Sequence, residues 1–283
     1  MKYKMVALDL DGTLLNKDKA IGFETLSYLQ QLHNHQIEIV IATGRCHNDA
    51  VRLTQSIPFE FAIMSNNGAI TRTSRRRELL DANYIDNNSY QSVIQLSREW
   101  ELHPIVYVDK SHLGYDLIVE QDYNYHAYNG YLSKSSRRVV KLDFKTYLDN
   151  DILSICYTGD KNKLDRFRLY VTNKWPKKFN TSVSVKLNVK TLMEILNTEA
   201  CKWKAIEKYS RSKKIKQTEI IAIGDDNNDI EMIKNAGFGI AIKNATAEVK
   251  SVSKLVSEYN HEEQGVRRVL ETIFGDFNGR SFE

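Results

Sequence analysis

Close to the amino terminus a short apolar run, Met5, Val6, Ala7, Leu8 and Leu10, stops abruptly at Asp11-Gly12. Its hydrophobicity is continuous, not alternating, which is the pattern of a strand buried on both faces in a parallel sheet. This constrains the chain to an α/β class, and the residues that follow agree. A helical pattern through Phe23, Leu26, Leu29 and Leu32 leads to a second apolar run, Ile37 to Ala42, closed by Thr43-Gly44-Arg45. That order of elements is a βαβ unit. A helical pattern with Val51 and Leu53 follows, and Phe61 to Met64 forms a third short strand before the turn signal Asn66-Asn67-Gly68.

From about Tyr84 the character changes to shorter strands, fewer helices and many tyrosines. Val93, Leu96 and Trp100 mark one helix, and Leu164, Phe167 and Val171 another. Ile105 to Val108, Leu117 to Val119, Ile152 to Cys156 and the alternating Val183, Val185 and Leu187 read as strands. Near Leu192 the βα rhythm returns, with a helix around Trp203 to Tyr209, an apolar strand Ile220 to Ile223, a strand Phe238 to Ile242, and a closing helix through Val266, Val269, Leu270 and Ile273. The expected organisation is a doubly wound, Rossmann-like core made of residues 1–83 and 191–283, with an α+β domain, 84–190, inserted between its halves. A length of 283 residues suits such a two-domain chain.

Composition narrows the function. With 42% hydrophobic and 27% charged residues, 13 Gly and 3 Pro, disordered and collagenous classes are excluded. Cys46, Cys156 and Cys201 lack metal or redox spacing and read as reduced thiols. Neither a leader pattern nor a span-length apolar run is present, so a cytoplasmic protein is expected. The net charge of +4 gathers in local clusters, Arg75 to Arg77, Arg137 with Arg138, and Lys174 with Lys177 and Lys178, which read as solvated surface. No nucleic-acid module accompanies them, and a mildly positive surface suits a small anionic substrate.

Asp9 and Asp11 stand at the carboxyl end of the first strand, where open parallel sheets place their ligand sites. Alone, an aspartate there is more often a turn former or helix cap. Here two lie beside Gly12 and Thr13, and a second acidic group, Asp225 and Asp229, ends another buried strand. If the two strands are neighbours, the carboxylates converge and require a cation. Oxygen ligands select a hard ion, and Mg2+ with a phosphate substrate is the usual solution. A calcium loop is disfavoured because Asp225 to Asp229 lacks the EF-hand spacing.

Taken together these segments resemble the haloacid dehalogenase-like (HAD) phosphohydrolases. Asp9-Leu10-Asp11-Gly12-Thr13 is similar to their first motif, Thr43-Gly44-Arg45 to the second, and Gly224-Asp225-x-x-Asn228-Asp229 to the fourth. Glu194-Ile195 and Lys202, with Ala205 and Ile206 behind it, resemble the third motif of the Cof subfamily, whose habits Asn67-Gly68-Ala69 and Gly265-Val266 also match. The resemblance implies that Asp9 is the nucleophile of an aspartyl-phosphate pathway and Asp11 the general acid and then base. It implies Mg2+ at Asp9, Asp11 (through its carbonyl) and Asp225, with Asp229 supporting the metal or Lys202. Leu10, Thr43, Gly44, Lys202 and Asn228 would surround the phosphate. Arg45 either contacts phosphate or substrate or acts as a structural salt-bridge partner.

One departure stands out: where the subfamily has Gly-x-x-Lys-Gly, this chain has Glu199-Ala200-Cys201-Lys202-Trp203. Lys204 is a competing assignment, and the spacing to Ala205 and Ile206 favours Lys202. Residues 84–190 would be a type IIB cap that selects substrate, with hinges near Tyr84 and Lys190. Its tyrosines, Tyr123, Tyr125, Tyr128 and Tyr131, with His126, are packing residues or substrate readers, and His47 lies close to the second motif. The resulting expectation is a Mg2+-dependent phosphatase of sugar phosphates or phosphorylated cofactors, acting as a monomer or weak homodimer. A phosphomutase and a non-catalytic phosphometabolite-binding regulator are the alternatives.

Overall fold

The computed structural model describes residues 2–121, 132, 138–185, 191–275 and 277. Its elements, in chain order, are β1 (Met5–Leu8), α1 (Phe23–Asn34), β2 (Glu38–Ala42), α2 (His47–Thr54), β3 (Ala62–Ser65), β4 (Ile70–Thr73) and β5 (Leu79–Ala82). Next come α3 (Asn87–Glu99), β6 (Ile105–Val108), β7 (Leu117–Glu120), β8 (Val139–Leu142), β9 (Ile152–Gly159), α4 (Lys161–Lys174), β10 (Phe179–Val185) and β11 (Thr191–Asn197). The chain closes with α5 (Lys202–Ser212), β12 (Ile220–Gly224), α6 (Ile230–Asn235), β13 (Phe238–Ala241), α7 (Ala247–Val252), β14 (Leu255–Val256) and α8 (Gly265–Phe274). Two compact units result: Met1–Asp81 with Cys201–Glu283, and Ala82–Ala200.

The first unit is built on an eight-stranded sheet of order β14-β13-β12-β1-β2-β3-β4-β5. It is parallel from β14 to β3, and β4 turns back antiparallel on β3. Both faces are buried, which accounts for the continuous apolar runs. Val6, Leu8, Ile39, Ile41, Ile221 and Ile223 point to one face and pack with Leu29 and Leu32 of α1 and Val269 and Leu270 of α8. Their chain neighbours Met5, Ala7, Val40, Ala42, Ile220 and Ala222 point to the other, against Trp203 and Ile206 of α5 and Met232 and Ile233 of α6. The first face carries branched residues and the second is rich in alanine, so the helices on the second can approach the sheet closely. In α1 the buried stripe is Thr25, Tyr28, Leu29 and Leu32. Phe23, part of the expected apolar stripe, is the first helical residue and stays 81% exposed.

The second unit is a six-stranded sheet of order β10-β11-β9-β6-β7-β8, antiparallel except for the β7/β8 pair. Val93 and Leu96 of α3 and Leu164, Phe167 and Val171 of α4 cover Val106, Ile118, Ile155, Tyr157, Met193 and Ile195. The expected boundary at residue 191 is displaced. Thr191–Asn197 is a strand of this second sheet, paired antiparallel to both β9 and β10. Its apolar residues Leu192, Met193, Ile195 and Leu196 are buried on both faces, a pattern that imitates a parallel core strand. The tyrosines at positions 123, 125, 128 and 131, with His126, and the hinge position Lys190 lie outside the described residues.

Among the described residues no helix is long and apolar enough to cross a membrane. All three cysteines are free thiols, Cys46 and Cys156 buried and Cys201 partly so.

The two faces of the first sheet should respond differently to substitution. Ala222→Leu, which overpacks the alanine side, is expected to cost about 1–3 kcal/mol. Ile223→Val, on the opposite face, is expected to cost about 1 kcal/mol by loss of one methylene. Urea unfolding midpoints at unchanged slope check both.

Candidate active site

Strand β1 lies between β2 and β12, and chain order departs in opposite directions on its two sides. This is a topological switch point, where loops at the carboxyl ends of the strands splay apart and leave a crevice. Leu8 is in register with Ile41 and Ile223, so Asp9, Thr43 and Asp225 all emerge at one sheet edge. The condition set by the sequence, that the strands carrying the two acidic groups be neighbours, is met.

Asp9 is 5% exposed, and its amide donates to the Ile223 carbonyl at 3.0 Å. Lys202, the first residue of α5, is 1% exposed and donates to Asp9 Oδ1 and Asp229 Oδ1, each at 2.6 Å. Trp203 does not disturb the helix start: it is 8% exposed and packs on the alanine-rich face of the sheet. Lys204, one residue further round, is exposed. Fully buried Asp229 is saturated, because its Oδ2 also accepts the amides of Asp225 at 2.9 Å and Asp226 at 3.0 Å. Asp225 accepts at Oδ1 from the Thr13 hydroxyl at 2.7 Å.

Two glycines make this convergence possible. Gly12 has φ +81°, and a Cβ there would lie 2.3 Å from Asp225 Oδ2. A Cβ on Gly224 would lie 2.5 Å from Cγ of Asp229. Either side chain would displace a carboxylate of the cluster.

The electrostatics follow from this packing. Burial pushes the Asp9 carboxyl well above the usual carboxylate range; Lys202 opposes the shift, and Asp229 and Asp225 reinforce it. Burial likewise raises Asp225 to about 7, with the Thr13 hydrogen bond opposing and Asp229 adding to the rise. Burial works against the charged form of Lys202, yet Asp229 and Asp9 outweigh it and hold the ammonium above the ordinary lysine value. Asp9, Asp225 and Asp229 each offer an oxygen within 4.8 Å of the others. Oδ2 of Asp9 and Oδ2 of Asp225 accept no hydrogen bond from the described residues. Two free oxygens in a cluster with excess negative charge, and no nitrogen or sulfur donor, fit a hard divalent cation such as Mg2+.

Asp11 stands apart from that cluster. Its carboxylate is gripped by Arg45, Nε to Oδ2 at 2.5 Å and Nη2 to Oδ1 at 2.6 Å, and by Lys19 Nζ on Oδ1 at 2.7 Å. Burial is overcome by the two cations, and the carboxyl is held well below its ordinary value. Of the two roles open to Arg45, the geometry displays the salt bridge. Leu10 has its side chain in the core, and its carbonyl accepts from Leu14 and Leu15. Thr43 is buried, and its hydroxyl accepts from the Arg45 amide at 3.2 Å. Gly44 lies under Asn67 and Asn228: a Cβ on it would be 3.2 Å from Asn67 Oδ1 and 3.6 Å from Asn228 Nδ2. His47 is buried, with Nδ1 3.4 Å from the Ser65 hydroxyl.

Four further residues support the site: Thr13 and Asn67 stand in the sequence motifs without an assigned contact, and Lys19 and Asn244 lie outside them. Thr13 holds Asp225, and Lys19 holds Asp11. Asn67, left-handed at φ 54°, accepts from Asn228 Nδ2 at 2.9 Å. Asn244 donates to the Gly12 carbonyl at 2.8 Å. Asn67 was visible as part of a turn signal; Lys19 and Asn244 carry no local signature. A separate groove of about 570 Å³, lined by Glu38, Lys208 and Tyr209, opens where β2 begins and does not include the carboxylate cluster.

The chain matches the haloacid dehalogenase-like hydrolase family over residues 6–270. It is 24% identical over 270 residues to the HMP-PP phosphatase of Serratia proteamaculans (strain 568), covering 95% of this chain and 94% of the relative. It is 25% identical over 285 residues to the 5-amino-6-(5-phospho-D-ribitylamino)uracil phosphatase YitU of Bacillus subtilis (strain 168), covering 95% and 97%. A crystal structure of a haloacid dehalogenase-like hydrolase from Bacteroides thetaiotaomicron superposes with TM-score 0.78 at 26% identity, covering 96% of this chain and all 100% of that one. A sheet whose switch point gathers buried carboxylates around one lysine is thus matched along nearly the whole sequence, and the chain belongs to the haloacid dehalogenase-like hydrolases.

Proposed function

We propose that this protein is a Mg2+-dependent phosphatase of small phosphomonoesters that works through an aspartyl-phosphate. The observation that carries the reading is Asp9, just past the carboxyl end of β1 at the switch point: Lys202 holds one oxygen, and the other accepts no hydrogen bond from the described residues. That is the arrangement a carboxylate nucleophile needs, oriented by one atom and free at the next.

In the first step, once substrate has displaced Arg45 and Lys19 from Asp11 and Asp11 has taken up a proton from water, Asp9 Oδ2 bonds to phosphorus while the bond to the leaving oxygen breaks and Asp11 supplies the proton that this oxygen takes up. In the second, water loses a proton to Asp11 as its oxygen bonds to phosphorus and the bond to Asp9 breaks. Asp11 thereby recovers its proton, and the cycle balances. The Thr43 hydroxyl, the Gly44 amide, Lys202 and Asn228 surround the phosphoryl oxygens. Mg2+ held by Asp9 and Asp225, and by the Asp11 carbonyl, would neutralise charge on the transferring group. Asp229, with both oxygens taken, acts by holding Lys202 and the loop that carries Asp225. The second unit, Ala82–Ala200, is the substrate-selecting cap in this reading. Relatives named for HMP-PP and for a phosphoribitylamino uracil support a small organic phosphate as substrate, which in this reading is a sugar phosphate or a phosphorylated cofactor.

Release of phosphate from p-nitrophenyl phosphate should require Mg2+ and stop on addition of EDTA. Asp9→Asn keeps an oxygen for Lys202 and should fold, yet lose about 10⁴-fold or more in kcat. A fully active Asp9→Asn protein would sink the mechanism.

The cation site should also appear in stability. Asp225 is raised to about 7 in the folded chain from an ordinary 3.8. The folded state therefore binds the proton more tightly, and this group's stabilisation is complete below about pH 4 and lost as pH rises through about 7. Because the cation replaces the proton, saturating Mg2+ should raise the melting temperature more at about pH 8 than at about pH 6. Calorimetry with and without the ion checks this, and an equal shift at both values would count against a cation at Asp225.

A further inference from the structure

Between β3 and β4 the chain reverses through Asn66, Asn67 and Gly68, all left-handed, with φ of 46°, 54° and 86°. Consecutive left-handed residues are ordinary in a hairpin turn, and asparagine and glycine are the residues that tolerate them. Such turns belong at the surface, where water takes their polar groups. Here Asn66 is 1% and Asn67 6% exposed, and the polar groups of the turn go to two other loops of the candidate site.

The first is the loop after β2. The Asn67 amide donates to the Thr43 carbonyl at 3.0 Å and the Asn66 amide to the Arg45 carbonyl at 2.9 Å, so the turn grips the carbonyls on either side of Gly44. In a trans peptide the C=O and the N–H point in opposite directions. The bond to the Thr43 carbonyl therefore turns the Gly44 N–H away from the turn, and that N–H donates to none of the described residues. The second is the loop after β12. Asn67 Oδ1 accepts from Asn228 Nδ2 at 2.9 Å, and the same oxygen lies 3.2 Å from where a Cβ on Gly44 would stand. One N–H of Asn228 is fixed by this bond, and because the carboxamide is planar its second N–H is fixed with it.

We infer that Asn67 is a positioning residue for phosphoryl binding, its amide setting the Gly44 N–H and its side chain the Asn228 carboxamide. Two donors from loops far apart in sequence are thereby held in fixed relation before substrate arrives, as stabilisation by preorganised donors requires. The inference rests on the phosphatase reading, in which Gly44 and Asn228 surround the phosphoryl oxygens. The influence of Asn67 passes through those two groups, and through its side chain by Asn228.

The test reads what Asn228→Ala costs in kcat/KM for p-nitrophenyl phosphate, with Mg2+, in several backgrounds. In wild type the cost should be about 100-fold, the scale of losing one preorganised donor. Asn67→Gly removes the carboxamide and keeps the left-handed backbone with its amide, and it should lower kcat/KM about 10-fold by loosening Asn228. In that background Asn228→Ala should cost about 10-fold in place of about 100-fold, since residues acting through one group are non-additive. Asn67→Ala also lacks the acceptor and should read the same way. Asn67→Asp keeps the accepting oxygen, and the full cost of Asn228→Ala should return. Thr43→Ala removes a hydroxyl that accepts from Arg45 and not from Asn67, so its cost should be equal in every background. A merely structural role would lower the active fraction and leave all these ratios unchanged. The inference is overturned, while the phosphatase reading stands, if Asn228→Ala costs as much in the glycine and alanine variants as in wild type. A Thr43→Ala cost that falls in parallel, or a wild type indifferent to Asn228→Ala, overturns it equally. Absence of metal-dependent turnover in the wild type would overturn the phosphatase reading and this inference with it.

Discussion

The buried ammonium of Lys202, set between Asp9 and Asp229, is the contact on which the rest of the site depends. An isolated charge at 1% exposure would be prohibitively costly, and the cost is offset only because two carboxylates meet it at 2.6 Å. The reverse also holds, since Asp9 and Asp229 are themselves almost wholly buried. Removing any of the three leaves a charge stranded in the interior. The triad joins the ends of β1 and β12 to the start of α5, which come from opposite ends of the sequence.

Charge balance then dictates what else the site requires. One ammonium faces three carboxylates, because Asp225 shares the cluster. The surplus shows as a raised proton affinity at Asp225 and Asp9. In the proposed reaction a hard divalent ion would answer it better and leave Asp9 ionised. Asp11 is managed oppositely, with two cations on one carboxylate. Two aspartates separated by a single residue are thus set in contrary electrostatic surroundings, which is how neighbouring carboxylates take different chemical parts.

Much of this was legible beforehand because it depends on local pattern. The unbroken apolar run Met5 to Leu8 betrays burial on both faces, and its stop at Asp9-Leu10-Asp11-Gly12 marks a strand end that must hold charge. Lys202 was identified by its spacing to Ala205 and Ile206, which the structure shows buried behind it. What escaped depends on tertiary partners. β11 has the apolarity of a parallel core strand, and only its pairing with β9 and β10 reveals a different sheet. Lys19 and Asn244 look like surface residues until the loop carrying one and the turn carrying the other are folded against Asp11 and Gly12. Phe23 errs in the opposite sense, apolar by type and exposed by position.

The pairing of Leu8 with Ile223 also has a consequence for how the chain is made. During synthesis β1 emerges among the first residues, while its neighbour β12 waits until all of Ala82–Ala200 has been produced. Over that interval one long side of the central strand has no partner, and its amides and carbonyls form a temporary open edge. The nascent protein therefore carries Asp9 from the start, while the carboxylate cluster stays incomplete until β12 and the residues after it arrive. Non-local closure of this kind is slow, and the growing chain is most exposed to mispairing or chaperone capture while β1 stands without β12.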